Sequence, residues 1–123
     1  MLAKAEVDLI ALRAMGDAGV FGDEVFGFHA QQVAEKCLKA WMSARGIRYP
    51  RTHNIRVLLE ELETVGEDVA AFQDLDGLTG WAMALRYDPL GPDHQPIARA
   101  DLLLAVEALF TQAEAVVGAA ETP

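Results

Sequence analysis

Apolar residues recur along this chain at the three- and four-residue spacing of a helix, and no run shows the sustained strict alternation of a half-buried strand. Ile55, Leu58, Leu59 and Leu62 stand at i, i+3, i+4 and i+7; Leu102, Val106, Leu109, Ala113 and Val116 form another stripe, with Leu103, Phe110 and Val117 beside it. The spacing predicts helices over roughly residues 2–15, 24–45, 55–65, 67–87 and 96–117. In the first of these Leu2, Ala5, Leu9 and Leu12 carry the stripe, and Val7, Ile10 and Ala14 widen it. Gly16, Gly19, Gly22 and Gly27 form a breaker-rich stretch before or at the start of the second, and Gly46 stands where a left-handed cap would end it. Thr52 or Asn54 can cap the third, and Gly66 breaks it. Gly77 or Gly80 can interrupt the fourth, which must stop by Asp88 because Pro89 follows; Pro96 suits the first turn of the fifth. Residues 118–123 read as a frayed tail. A chain of 123 residues holds one core. The expectation is a single all-α domain, an antiparallel bundle of four to five helices.

Charge narrows the function. The formal balance is −9, which disfavours broad electrostatic capture of nucleic acid or of an anionic membrane. The charge is uneven, however. Lys36, Lys39, Arg45, Arg48, Arg51 and Arg56 fall in one segment that contains no acidic residue, so a cationic belt lies inside an acidic protein. The single Cys37, in an apolar helical stretch, reads as a small buried hydrophobe rather than a nucleophile, and alone it makes neither a disulfide nor a thiolate metal site. No metal or cofactor is implied. No stretch reads as a membrane span and the N-terminus lacks a signal layout, so a cytoplasmic setting and no membrane partner are expected.

Three constellations carry candidate chemistry. On the second helix Ala30, Ala34, Cys37, Leu38 and Trp41 share one face, while Gln32, Glu35, Lys36, Lys39 and Ser43 share the other. That polar face is either a solvated surface with a Glu35–Lys39 pair or the lining of a groove that presents Lys36 and Lys39 to a phosphate. The turn Pro50-Arg51-Thr52-His53-Asn54-Ile55 puts His53 at a helix N-terminus between Arg51 and Arg56. It is either a capping turn or an anion site built from the helix end and these side chains. Arg86, at a predicted helix C-terminus, either complements the helix dipole or stabilises charge on a phosphate while His94 transfers a proton.

These three segments, in this order, resemble the signature of HEPN domains (higher eukaryotes and prokaryotes nucleotide-binding). The resemblance runs through Gln31-Gln32, Glu35-Lys36 and Leu38-Lys39-Ala40 on the second helix. Pro50-x-Thr52-His53-Asn54-Ile55 with Leu58-Leu59 resembles a family segment Pro-x-Thr-His-Asp-Leu followed by Leu-Leu, with Asn54 in place of Asp. Arg86-Tyr87-Asp88-Pro89 resembles its Ala-Arg-Tyr-Pro segment, with Asp88 inserted. The resemblance implies a helical bundle, commonly a homodimer and often the partner of a minimal nucleotidyltransferase. It also implies that some members are metal-independent ribonuclease toxins, using an Arg and a His separated by four to six residues. Here seven residues separate Arg86 from His94, which favours a binding module over an enzyme.

The leading expectation is therefore a module for a nucleotide or RNA phosphate, with Gln32, Lys36, Lys39, Arg51, His53 and Arg86 as its contacts. A ribonuclease toxin using Arg86 and His94 is the alternative, and a plain helical interaction domain the third.

Overall fold

A computed structural model describes residues 1–16, 20–79 and 97–121. Among them every regular element is helical: α1 (Leu2–Ala14), α2 (Asp23–Ala44), α3 (Ile55–Thr64), a 3₁₀ segment (Ala70–Leu78) and α4 (Arg99–Glu121). The all-α expectation therefore holds. Helix α2 is the central element: α1 and α4 pack along it, and α3 and the 3₁₀ segment pack on its remaining side. Ala30, Val33, Ala34, Cys37, Leu38 and Trp41 of α2 are buried against Leu9, Leu12, Leu58, Leu62, Leu109 and Ala113. The Trp41 ring meets Phe72 of the 3₁₀ segment edge to face, centroids 6.1 Å apart.

Both glycine stops are left-handed. Gly46 has φ 73° and Gly66 has φ 89°, a region that costs a side-chain-bearing residue about 1–2 kcal/mol. After α2, Ile47 N–H donates to Met42 O (2.9 Å) and Gly46 N–H to Ser43 O (3.0 Å). After α3, Glu67 N–H donates to Leu62 O (3.0 Å) and Gly66 N–H to Glu63 O (2.9 Å). Each pair of bonds is a Schellman cap, which satisfies terminal carbonyls and turns the chain sharply. The second cap throws Glu67 back onto α2, where its carboxylate accepts from Trp41 Nε1 (2.8 Å) and pairs with Arg45.

Four expectations need correction. First, residues 67–87 do not begin as an α-helix: the chain turns at 67–69 and then winds as 3₁₀ to Leu78. Val69, Phe72, Leu75 and Leu78, all buried, recur every third residue. On an α-helix that spacing would drift by about 180° from first to last, whereas three residues per turn keeps all four against the core. Asp68 Oδ1 accepts from Ala70 N–H (3.2 Å) at its start. The rest of the expected fourth helix, from residue 80 on, lies outside the described residues.

Second, α4 starts at Arg99 and continues to Glu121, through most of the supposed tail. Third, Val7, Ile10 and Ala14 do not widen the core stripe of α1; they point to solvent, opposite the buried Ala5, Leu9 and Leu12. The helix is apolar on both faces, so its pattern alone does not tell which face is buried. Fourth, α4 is long and apolar enough to cross a membrane by length and composition, with a mean hydropathy of 1.6. Its apolar residues divide between a buried face (Val106, Leu109, Phe110, Ala113, Val116) and an outer one carrying Leu104 and Ala108. One such helix is weak evidence for a membrane span.

Arg99 ties the open end of the bundle together. Its guanidinium donates to Met15 O (2.7 Å), Phe21 O (2.6 Å) and Asp23 Oδ1 (2.8 Å), and lies 4.9 Å from the Phe26 ring centre. The end of α1, the start of α2 and the start of α4 thus meet at one side chain.

Candidate functional site

The polar face of α2 forms the floor of the candidate site, and the 47–54 loop lies along one side of it. Its organising residue is Glu35, which the helical wheel places on the solvated face but which is only 6% exposed. The loop covers it. Gln31, fully buried one turn earlier, donates from Nε2 both to Glu35 Oε1 (2.9 Å) and to the His53 backbone carbonyl (2.9 Å). His53 Nδ1 lies 2.9 Å from the same Oε1, and Lys39 Nζ donates to Oε2 (3.1 Å). Gln32 Nε2 donates to Gln31 Oε1 (2.7 Å), extending the network outward. Burial by itself would raise the Glu35 carboxyl pKa. Hydrogen bonds from Gln31, His53 and Lys39, with the Lys39 charge, outweigh it and hold the group below the ordinary range, so Glu35 is an ionised acceptor.

The N-terminus of α3 is not available to an anion. Asn54, not Thr52, is the cap: its Oδ1 accepts from Arg56 N–H (3.0 Å) and Val57 N–H (3.4 Å). Thr52 Oγ1 serves one position earlier, accepting from Asn54 N–H (3.1 Å), and Thr79 Oγ1 accepts from Ile55 N–H (3.1 Å). The anion-binding potential of this segment therefore lies in its side chains rather than in the helix end.

The belt cations divide sharply. Lys36 pairs with Asp8 of α1, Lys39 with Glu35, Arg45 with Glu67 and Arg56 with Asp76 (2.8 Å). The Lys39–Glu35 pair lies within α2, while the other three tie the belt to α1, to Glu67 and to the 3₁₀ segment. Asp8 also faces His29, whose Nδ1 lies 3.5 Å from Oδ1. Arg48 and Arg51 are exposed and make no ion pair among the described residues. With Ser43, Ile47 and Tyr49 they line an open pocket of about 390 Å³. The Lys39 ammonium stands 5.4 Å over the Tyr49 ring and so joins this pocket to the Glu35 network.

Of the site residues expected from sequence, Gln32, Lys39 and His53 come together around Gln31 and Glu35. Lys36 is engaged with α1, and Arg51 sits in the loop pocket. Arg86 and His94 lie outside the described residues. Gln31 and Glu35 in the helix motif and Arg48 in the belt were visible in the sequence but were not among the expected contacts. The i,i+4 pair Gln31/Glu35 is a visible signal, but its burial depends on a loop that arrives 18 residues later in the form of His53. Cys37 is fully buried, and burial, aided by the Glu114 charge, pushes its thiol pKa up to about 12, so it is a packing residue.

An all-helical module with a cation-bearing loop against a polar helix face defines the class of protein. The HEPN domain model matches residues 1–121, nearly the whole chain. The chain belongs to the HEPN family, and with it to helical modules associated with nucleotides and RNA. No curated protein and no solved structure matches it.

Proposed function

We propose that this HEPN domain binds a phosphate-bearing ligand, a nucleotide or an RNA phosphate, at the 47–53 loop. The observation that carries the reading is the division of the belt: four cations are neutralised by neighbouring carboxylates, while Arg48 and Arg51 make no ion pair among the described residues and line one pocket. Arginine suits that role, because its planar fork matches phosphate oxygens and its charge is permanent. Tyr49 offers an aromatic face beside them. Lys36 and Lys39, by contrast, serve the fold first.

Binding of a labelled short RNA and of a nucleotide, measured across salt concentrations, tests this. Two phosphate contacts on a single strand give a log–log salt slope of about −1.4. Arg48→Ala/Arg51→Ala should abolish binding and its salt dependence, whereas Lys36→Ala should alter binding little. Equal binding by the double variant and the wild type refutes the site.

The proposal extends to a second copy of the chain on the outer faces of α1 and α4, where Val7, Ile10 and Leu104 are exposed. Ile10→Glu/Leu104→Glu should lower the mass in light scattering if that face is used, and a mass unchanged from the wild type rejects it. A minimal nucleotidyltransferase partner is the family's companion to this reading, tested by co-purification. The ribonuclease alternative rests on Arg86 and His94, and RNA cleavage without added metal decides it.

A further inference from the structure

Ser43, on the last turn of α2, lines two hollows. One is the pocket of about 390 Å³ that holds Arg48 and Arg51. The other, of about 540 Å³, lies where the start of α1 and the end of α4 meet the end of α2. Both sizes fall in the range of small-molecule sites. The residue they share is small and exposed, so the wall between them is low.

Their linings are opposite in chemistry. Leu2, Ala3, Ala40, Ala44, Val117 and Ala120 give the larger hollow short aliphatic walls, and its polar side chains are Ser43 and Glu121. Leu2 and Ala44 also pack against the core, so the floor belongs to the fold. A nucleobase fits such walls poorly. Its polar edges lose water with only two polar side chains to replace it, and none of the described lining residues has an aromatic ring on which it could stack. A saturated chain has no polar edge to leave unpaired and gains from every group it buries. The Glu121 carboxylate repels an anionic head on this side, while Arg48 and Arg51 attract one on the other.

We infer that the two hollows form one site for a single-chain anionic amphiphile, with its phosphate head between Arg48 and Arg51 and its alkyl tail laid over Ser43 into the aliphatic hollow. The head rests on the phosphate reading above, and the tail goes beyond it. A phosphate monoester presents enough oxygens for two guanidinium forks. The tail ties together the start of α1 and the ends of α2 and α4, at the opposite end of the bundle from Arg99.

Alkyl phosphates from methyl through butyl and hexyl to octyl, titrated by calorimetry below their micelle concentrations, test this. Full burial of one CH₂ group tightens binding about fourfold, so an open hollow that covers about half of each group gives about fourfold for each added pair of carbons. Wild-type affinity should climb accordingly along the series, with a negative heat-capacity change that grows with the tail. Ala120→Phe, on α4 and away from the loop, fills the hollow; it should flatten the series and bind methyl phosphate as the wild type does. Ala3→Phe fills the same space from α1 and serves if the first variant loses its helical circular dichroism. Arg48→Ala/Arg51→Ala should abolish methyl phosphate binding and weaken octyl phosphate at least about tenfold. A flat wild-type series, or a rise that survives both filling variants, overturns the inference. So does a mononucleotide that gains as much over methyl phosphate as octyl phosphate does, which would put a base in the hollow. A flat series together with a wild-type dimer that Ala120→Phe dissociates would assign the hollow to a second copy and overturn it as well. Failure of the phosphate reading looks different: affinity would climb with tail length yet be indifferent to Arg48→Ala/Arg51→Ala.

Discussion

Replacing Glu35 by alanine removes the acceptor for three donors at once: Gln31 Nε2 at 2.9 Å, His53 Nδ1 at 2.9 Å and Lys39 Nζ at 3.1 Å. Exposed His53 recovers its bond from water. Gln31, fully buried, does not, although it keeps the His53 carbonyl. A buried amide that loses a partner costs about 1–3 kcal/mol, and a part-buried ammonium stripped of its carboxylate costs up to about 3–5 kcal/mol. Lys39 keeps the Tyr49 face and some access to water, so its cost lies below the fully buried range, at about 2 kcal/mol, and with about 1 kcal/mol for the Gln31 amide the sum is about 3 kcal/mol. An unfolding entropy of about 2.1 cal/mol/K per residue, taken over the chain, converts this to a fall in Tm of about 12 °C. Thermal unfolding followed by circular dichroism at pH 7 measures it.

A pH series separates the charge from the packing. The folded-state pKa of Glu35 is depressed, so its stabilising contribution is complete above the unfolded carboxyl pKa of about 4.3 and is lost as pH falls through the folded value. The stability gap between wild type and Glu35→Gln should be constant from about pH 6 to 8 and should shrink below about pH 4. A fall in Tm under about 3 °C for Glu35→Ala, or a gap unchanged in acid, would show that the network contributes nothing to the fold.

Three further outcomes follow from the packing. Arg99→Met should cost about 3 kcal/mol in urea unfolding, because it leaves Asp23 and two carbonyls without their shared cation; a loss below about 1 kcal/mol would contradict its bridging role. Gly46→Ala and Gly66→Ala should each lower stability by about 1–2 kcal/mol, since both positions require a left-handed backbone, and a neutral result would mean that the caps rearrange. Cys37 should resist alkylation in the folded protein at pH 8 and react only once urea unfolds the chain; modification at the rate of a free thiol would place it at the surface.

Much of the fold was legible because helical periodicity is local. The stripe Ile55, Leu58, Leu59 and Leu62 is buried as its spacing predicts, and Gly46 caps α2 as its position predicts. The 3₁₀ winding is also written in the chain, in the three-residue recurrence of Val69, Phe72, Leu75 and Leu78, a period easily taken for part of an α-helical one. Helix α1 was ambiguous because both of its faces are apolar.

The site divides in the same way. Composition and order along the chain are sufficient to show the cationic belt and the family motifs around Gln31, His53 and Arg86. They do not show which cations remain free, because a charge on one helix is neutralised by whatever carboxylate a different element brings to it. Asp8, Glu67 and Asp76 are remote in sequence from Lys36, Arg45 and Arg56 and meet them only in the packed bundle. Local sequence thus determined where helices run and what their faces carry. Tertiary packing decided that Glu35 is buried, that His53 is oriented and that Arg48 and Arg51, among the described residues, stay outside the ion pairs, since desolvation and ion pairing depend on neighbours the local pattern does not contain.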